Sequence, residues 1–278
     1  MKREFGRALR EVMALADRIQ AIRILAFRVR ERGQKVYYQP EALIVHHEGI
    51  TSGTDVGQGI KRHQVLNQKI FYERWKTTLE AHRPNGDNPN REINRDARGR
   101  VLVVDACIVR PDSDSGSVRM RAILEVMVGM GLHVTFVADN LEYQQPYVQD
   151  LQQLGVEFWH GPHIQSVAEL LQQNGASYDV VVLCRHYIAH PLLQAVKMFA
   201  PQARLWFDTV DLHYLREERM AQLEGSEKLA EMAAATKRQE LLVMRNSDVT
   251  LVVSPVEKNL LALELPDARV EILSNVHE

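Results

Sequence analysis

The sequence is poor in the features that most directly reveal a protein's class. Cysteine occurs only twice in 278 residues, as Cys107 and Cys184, and no CxxC pair is present. Both cysteines fall in segments that we predict to be strands. Isolated cysteines in strands are most often buried thiols, so we expect two buried free cysteines and no disulfide.

The chain also lacks an excess of basic residues and a long apolar run. Its 34 lysines and arginines are balanced by 36 aspartates and glutamates, for a formal net charge of -2. This balance does not favour a nucleic-acid partner. No apolar run approaches the roughly 18 residues that cross a bilayer, and no signal peptide is recognisable. We therefore expect no transmembrane segment and a cytoplasmic location, with peripheral attachment at the inner membrane left open.

What is present is an ordinary globular composition, 45% hydrophobic and 25% charged, with one interruption. The segment "RPNGDNPNREINRDARGR", from Arg83 to Arg100, has one isoleucine, one alanine and no aromatic residue in eighteen positions. Such a segment buries too little apolar surface to offset the entropy lost when it becomes ordered. We predict a linker at 83–99, which separates a first part, 1–82, from a domain at 100–278.

Strands and helices alternate after the linker. The first strand, "RVLVVDA", is a continuous apolar run, as expected in a sheet that is covered on both faces. Four apolar residues from Met120 to Met127 then have the spacing of one helix face, and Gly131 ends that helix. The alternation includes a long charged helix at about 215–246 and closes with the strand "RVEIL". This pattern predicts an α/β fold, a Rossmann-like doubly wound parallel sheet.

The part before the linker has fewer strand signals. Residues 1–32 are predicted to form one or two helices, and "KVYYQP" and "ALIVHH" are predicted to form short strands. A glycine-rich loop and a helix of about twenty residues complete this part. About eighty residues with so few strands make a thin core, which indicates a small, mainly helical piece of something larger.

The loop after the first strand carries the first candidate site. Asp112 to Ser117 contain two aspartates, three serines and Gly116, at the strand end where open α/β sheets bind ligands. Two carboxylates would repel a diphosphate, and no GxGxxG is present, so a dinucleotide loop is disfavoured. A contact to sugar hydroxyls remains open, as does simple capping of the next helix by Ser115 or Ser117. The "DSD" triplet also leaves a metal site open.

A second candidate lies in "WFDTVDLHYLREER". Asp208 closes a predicted strand, and Asp211 and His213 follow at the same edge of the sheet. An imidazole beside carboxylates suits general acid–base chemistry near neutral pH. The alternative is a helix start with Asp211 as the N-cap, and this stays open.

Two further strand ends carry basic or metal-ligating residues. "LCRHYIAH" places Arg185 and His186 after another strand, where Arg185 suits an anion but is also compatible with a structural role. "IVHHEGITSGTD" places adjacent histidines, His46 first, before glycines and hydroxyls. A histidine at a strand end can ligate a metal, but the residues alone do not identify the other ligands.

Residues 100–278 resemble the N-terminal domain of a GT-B glycosyltransferase of the large retaining group 1 family, which uses nucleotide-sugar donors. The resemblance lies in "RVLVVDACIVRPDSDSGSVRM", "GLHVTFVADN", "DVVVLCR", "FDTVDLHYLREER", "SDVTLVVSPVEKNLL" and "VEILSNVHE". It implies sugar transfer to the hydroxyl of a glycan or lipid-linked acceptor in a cleft between two domains. The donor site would belong to a second Rossmann-like domain after "NVHE", and the domain at 100–278 would bind no cofactor.

Under this resemblance the candidate residues take roles in the cleft. Asp211 and His213 are expected to be catalytic, close to the reacting hydroxyl. The acceptor-binding residues are expected to be Asp112, Ser115, Gly116, Arg185, His186 and Asp208.

Residues 25–80 are similar to the C-terminal end of an inverting GT-A domain of family 2. The similarity lies in "LAFRVRERGQKVYYQPEALIVHHEG" and "NQKIFYERW", and the family's late metal-ligating histidine maps onto His46. The acidic pair that includes the family's catalytic base is replaced by "AIRI", Ala21 to Ile24, and the donor-binding DxD is absent. A divalent metal is therefore expected only if the GT-A part were complete, and His46 is expected to be vestigial.

Together the two resemblances describe a piece of a bifunctional enzyme of the kind familiar among bacterial polysaccharide-assembly enzymes. The alternative is a non-catalytic binding or structural module without a donor site. A nicotinamide-dependent oxidoreductase shares the fold class but requires a glycine fingerprint that this sequence lacks.

Overall fold

A computed structural model of the chain describes residues 18–34, 36, 62–84, 92 and 94–275. The chain divides into two compact units, Met1–Glu92 and Ile93–Glu278. Both predicted short strands of the first part, apart from Val36, lie outside the described residues, and so do the glycine-rich loop and His46.

The first unit contains two described helices, α1 (Arg18–Glu31) and α2 (Arg62–Glu80). Aromatic side chains join them: the Phe27 ring lies 5.0 Å from the Phe71 ring and 5.1 Å from the Trp75 ring. The buried Trp75 also marks a kink in α2, because its φ of -108° and ψ of 15° depart from helical values. The helix of about twenty residues predicted in this part is α2.

The second unit is built on a sheet of seven parallel strands. Their bounds are β1 (Arg100–Asp105), β2 (His133–Ala138), β3 (Glu157–Trp159), β4 (Val180–Cys184), β5 (Arg204–Asp208), β6 (Val249–Val252) and β7 (Val270–Ile272). The order across the sheet is β3-β2-β1-β4-β5-β6-β7, and each neighbouring pair is parallel.

Helices connect successive strands. They are α3 (Ser115–Gly129), α4 (Tyr147–Leu154), α5 (Val167–Asn174), α6 (His186–Phe199), α7 (His213–Glu224), α8 (Glu227–Arg245) and α9 (Pro255–Glu264), with a 3-10 turn at Gly175–Ser177. Successive side chains of β1 belong to two different hydrophobic cores. Leu102 and Val104 pack in one core, and Val101 and Val103 pack in the other. Both faces of the sheet are therefore covered, and the predicted Rossmann-like doubly wound fold is confirmed.

The strand order places a crevice beside β1. The chain winds outward from β1 to β2 and β3, and then returns to β4 on the other side of β1. The connections that leave β1 and β4 diverge at this reversal. In open α/β sheets a ligand crevice forms there, at the carboxyl ends of the strands.

Two details differ from the prediction. The expected single helix at about 215–246 is two helices, because Gly225 adopts a left-handed φ of 60° that ends α7 and the Ser226 side chain caps α8 by accepting from the Leu229 N–H. Cys184 is a buried free thiol, but Cys107 is exposed, because β1 ends at Asp105 and not beyond it. Within the described residues, no helix combines the length and the apolar character required to cross a bilayer.

An ionisable network lies at the β3 edge of the sheet. The Glu157 carboxylate accepts from the Thr135 hydroxyl at 2.8 Å and lies 3.0 Å from His133 Nε2. Partial burial opposes ionisation of Glu157, but the contacts with His133 and Thr135 outweigh it and lower the pKa of the carboxyl below its usual value.

This pKa shift predicts a pH dependence of stability. Because the pKa of Glu157 is lower in the folded than in the unfolded chain, its stabilising contribution is present above the unfolded pKa and is lost as pH falls through the folded one. Urea unfolding of wild type and Glu157→Gln should therefore show a difference in unfolding free energy near pH 6 that shrinks toward pH 3. A difference that is constant over this range contradicts the prediction.

Candidate functional site

The ends of β1, β4 and β5 bring charged side chains to the crevice. Arg185, directly after β4, donates from Nε to Asp105 Oδ1 at 3.0 Å across the end of β1. Burial opposes the charge of Arg185, but the adjacent Asp105 carboxylate raises the pKa of the guanidinium. The predicted anion ligand Arg185 therefore lies in the crevice and already has an acidic partner there.

Two backbone positions in the crevice are strained. Arg185 has φ 65° and ψ 138°, and Val210 has φ 64°, a left-handed value that is rare for a β-branched residue. Such conformations cost about 1–3 kcal/mol each and are enriched at active sites and ligand contacts, although Leu141, with φ 53°, shows that they also occur elsewhere in this chain. Asp208 binds the backbone of both residues. Its carbonyl accepts from the Arg185 N–H at 2.8 Å, and its Oδ1 accepts from the Val210 N–H at 3.2 Å.

Gly116 approaches the same two residues. A Cβ atom at Gly116 would lie 3.6 Å from Arg185 Nη2, 4.0 Å from Val210 Cγ1 and 3.1 Å from Asp114 Oδ1. Gly116 therefore leaves a narrow space at the start of α3 that a larger side chain would fill. The structure brings together Gly116 and Arg185, which the sequence analysis assigned to one site.

The loop before α3 is capped differently from the prediction. Asp114 is the N-cap: its Oδ1 accepts from the Ser117 N–H and its Oδ2 from the Ser117 hydroxyl, each at 2.8 Å. A cap at Ser115 or Ser117 was wrong, because Ser115 is already the first helical residue. Asp112 is exposed and accepts from the Tyr147 hydroxyl at 2.8 Å, which ties this loop to α4.

Asp208 faces inward and not toward the crevice. Arg119, on α3, donates to Asp208 Oδ2 from Nη1 at 2.7 Å and to Oδ1 from Nη2 at 3.0 Å. The two side chains are 2% and 1% exposed. Arg119 also donates to the Leu273 carbonyl, so the pair connects α3, β5 and the chain after β7. This geometry favours a structural role for Asp208.

A second cluster lies at the starts of α6 and α7. We call His186, His213 and Glu240 the histidine–glutamate cluster: His186 begins α6, His213 begins α7, and Glu240 projects from α8. All three are buried, and Glu240 is 0% exposed. Glu240 Oε1 lies 3.6 Å from Nδ1 of each histidine, and the two imidazole rings are 5.0 Å apart.

Glu240 was missed by the sequence analysis, although it organises this cluster. Its Oε1 accepts from the His213 N–H and its Oε2 from the Tyr214 N–H, each at 3.1 Å, so Glu240 satisfies the first turn of α7. The predicted N-cap Asp211 was wrong, because the capping position is Leu212, which makes no side-chain bond. Glu240 lies on the same face of α8 as the buried Ala233 and Met244. This helical spacing was the sequence signal that could have identified it.

The electrostatics of the cluster favour an ionised Glu240. Burial opposes its charge, but the two histidines and the two backbone N–H groups lower the pKa of Glu240 to about 2. Burial likewise disfavours a charged His213, but Glu240 and Asp211 outweigh it and raise the pKa of the imidazole. Asp211 lies on the outer side, with its Oδ1 3.4 Å from His213 Nδ1 and its Oδ2 accepting from Arg216 at 2.7 Å.

One ring nitrogen of His213 is directed away from these partners. Nδ1 lies 3.0 Å from the Asp211 carbonyl, while Nε2 has no hydrogen-bond partner among the described residues and is not closed off from solvent. Tyr187, which is 46% exposed, places its ring 5.7 Å from the His213 ring and adds an aromatic surface that the sequence analysis did not identify.

The strand order and the two covered faces of the parallel sheet define a Rossmann-like domain of the doubly wound class. No family profile matches the chain, and no curated protein matches it. Among solved structures, UGT2 of Phytolacca americana in complex with UDP-2fluoro-glucose and pterostilbene has a TM-score of 0.45 and 9% identity, over 65% of this chain and 53% of that chain.

Two other solved structures are similar at the same low level. A UDP-glucosyltransferase from Polygonum tinctorium that glucosylates indoxyl has a TM-score of 0.42 and 10% identity, over 65% of this chain and 53% of that chain. NmrA, a negative transcriptional regulator in complex with NADP, has a TM-score of 0.30 and 16% identity, over 42% of this chain and 35% of that one. The chain spans about half the length of the two glucosyltransferases. None of these similarities assigns a function.

Proposed function

We propose that the chain is part of a glycosyltransferase and that unit 93–278 supplies the acceptor-side wall of its cleft. The donor would be a nucleotide-sugar held by a second Rossmann-like domain, and the acceptor a glycan or lipid-linked sugar of a bacterial polysaccharide pathway. The convergence of Gly116, Arg185 and the segment leading to His213 at one edge of the sheet carries the proposal, together with the sequence resemblance to GT-B enzymes. For residues 25–80 we propose no transferase activity, because the residues at 21–24 offer no catalytic base.

The crevice has the chemistry that a sugar acceptor needs. Glycosyl transfer requires the acceptor hydroxyl to be held by hydrogen bonds and its proton to be accepted as the new bond forms. Since Asp211 and Glu240 engage the Nδ1 side of His213, Nε2 is the atom that would meet this hydroxyl. The exposed Asp112 carboxylate and Ser115 hydroxyl would accept hydrogen bonds from other sugar hydroxyls.

Space and stacking support the same ligand class. Gly116 keeps the start of α3 open beside Arg185, and the exposed Tyr187 ring offers an apolar face next to His213. Sugars combine hydroxyls with flat apolar C–H faces, so a hydroxyl-binding imidazole beside an aromatic ring suits them. His186 lies behind His213 in the histidine–glutamate cluster and would act through it.

Saturation-transfer NMR with a panel of oligosaccharides tests the acceptor site on this chain. We expect at least one oligosaccharide to bind, and His213→Ala to weaken that binding by about 3- to 10-fold, the effect of one lost hydrogen bond. His190→Ala is the control, because it removes a histidine from the same helix, one turn beyond His186, that is not one of the candidate site residues.

Two outcomes contradict this proposal. One is sugar binding that His213→Ala and Asp112→Ala leave unchanged. The other is calorimetric binding of NADP that is lost in Gly116→Val, which would identify the start of α3 as a dinucleotide site.

A further inference from the structure

We propose that the histidine–glutamate cluster of His186, His213 and Glu240 is a binding site for one divalent transition-metal cation of the zinc class. The site goes beyond the acceptor site above, because the cation would lie on the Nδ1 side of His213, between the starts of α6 and α7 and helix α8. One ligand atom from each side chain lies within 4.8 Å of the other two.

Two of the three separations between ligand atoms are close to those around a small tetrahedral ion, and the third is within 4.8 Å. Zinc–nitrogen and zinc–oxygen bonds of about 2.0–2.1 Å place two tetrahedral ligands roughly 3.4 Å apart. Glu240 Oε1 lies 3.6 Å from His186 Nδ1 and 3.6 Å from His213 Nδ1. These distances are too long for hydrogen bonds, but shifts of a few tenths of an ångström would make them edges of a coordination tetrahedron.

His186 provides the second, independent observation. Its side chain is only 8% exposed, and its buried Nδ1 lies 3.6 Å from Glu240 Oε1 but makes no hydrogen bond among the described residues. Leaving such an atom unsatisfied costs about 1–3 kcal/mol. A cation bound between His186 Nδ1 and Glu240 Oε1 would satisfy this nitrogen. A hydrogen bond from His213 Nδ1 would not, because His213 Nδ1 already lies 3.0 Å from the Asp211 carbonyl.

Neighbouring groups hold Glu240 in place for this role. The N–H groups of His213 and Tyr214 bind one carboxylate oxygen each and fix its orientation, as outer-shell partners do for metal ligands. Each oxygen keeps a second lone pair for a cation. The partial positive charges of the α6 and α7 N-termini oppose a cation, and the Glu240 and Asp211 carboxylates compensate for them.

The donor set selects the class of cation. Two imidazole nitrogens and one carboxylate oxygen suit Zn²⁺, Co²⁺ or Ni²⁺, whereas Mg²⁺ and Ca²⁺ prefer oxygen ligands. Three protein ligands leave a fourth position for water or for the outer Asp211 carboxylate, whose Oδ1 is 3.4 Å from His213 Nδ1. Coordination would use His213 Nδ1 and displace its proton to solvent. Nε2 would then carry the remaining ring proton, so with the cation bound it could donate to a sugar hydroxyl but could not accept its proton.

Titration of the chelator-treated chain with CoCl₂ tests the site directly. We expect wild type to bind one Co²⁺ with the intense visible absorption of a tetrahedral complex, and His186→Ala to lose this absorption. His190→Ala on the same helix is the control and should keep it. The double variant His46→Ala/His47→Ala should keep it as well, since those histidines belong to the first unit.

Two measurements keep the proposal falsifiable if His186→Ala folds poorly. In wild type, ¹⁵N NMR of the imidazoles should show a shift of His186 Nδ1 when ZnCl₂ is added. Wild type and His190→Ala should also rise in Tm with ZnCl₂, because a ligand that binds only the folded state stabilises it. The proposal is wrong if wild type gives no tetrahedral absorption, if His186 Nδ1 does not respond, or if the His46/His47 variant alone abolishes binding. Sugar binding plays no part in these readouts, so this site and the proposed function can fail separately.

Discussion

Replacing Arg119 with methionine is expected to lower the free energy of unfolding by about 3–5 kcal/mol, the usual effect of removing one partner of a buried ion pair. Asp208 would keep a carboxylate that is 1% exposed but lose both guanidinium contacts, of 2.7 and 3.0 Å. The Leu273 carbonyl would lose two donors at the same time. Urea unfolding monitored by circular dichroism measures the loss.

Two further variants separate the ion pair from simple truncation. Arg121→Met is the matched control, because Arg121 lies two residues after Arg119 on α3 and makes no ion pair within the described part of the chain. We expect it to change the free energy of unfolding by less than about 0.5 kcal/mol. The double variant Arg119→Met/Asp208→Asn should be less destabilised than Arg119→Met alone, since no buried charge is left without a partner. If Arg119→Met and Arg121→Met are equally stable, the pair does not have this role.

Replacing Gly175 with alanine is expected to destabilise the second unit by about 3 kcal/mol, at the upper end of overpacking effects. A Cβ at Gly175 would meet the Phe199 carbonyl carbon at 2.8 Å, and it would meet the Phe199 carbonyl oxygen at still closer range. Both are backbone atoms at the end of α6, so they cannot rotate away as a side chain would. The φ of -54° at Gly175 suits alanine, and the loss would therefore come from the steric clash and not from backbone strain.

Gly129→Ala is the control for this variant. Gly129 ends α3, and among the described residues no atom lies within 4 Å of a Cβ placed there. Because alanine favours a helix over glycine, we expect Gly129→Ala to be neutral or to stabilise by up to about 1 kcal/mol. Equal unfolding midpoints for the two variants would show that α5 and α6 can separate at Gly175 without loss.

The sheet was predictable because its signal is local. A continuous apolar run such as "RVLVVDA" reports that both faces of its strand are covered, and its alternation with amphipathic helices leaves few topologies. Boundaries were less accurate where two local signals competed. In the segment 215–246, helical composition outweighed Gly225 and Ser226 in the prediction, although glycine followed by serine is a typical end and start of adjacent helices.

The strand-end placement of the candidate residues was predicted, but their partners were not. Gly116, Arg185 and His213 were placed at strand ends, and parallel strands bring their carboxyl ends to one edge whatever the side chains are. Glu240 lies 27 residues from His213, and Arg119 lies 89 residues from Asp208. No local pattern marks such a pairing, because it depends on which helix faces cover which strands.

The sequence by itself determined the alternation of strands and helices, the parallel sheet and the edge that carries the candidate residues, since each follows from periodicity and chain connectivity over short distances. The tertiary structure alone decided which charges are available there. It buried Asp208 against Arg119, joined Arg185 to Asp105, and assembled His186, His213 and Glu240 from three helices. The physical reason is that burial and pairing are properties of surfaces in contact, and those contacts exist only once the helices are packed on the sheet.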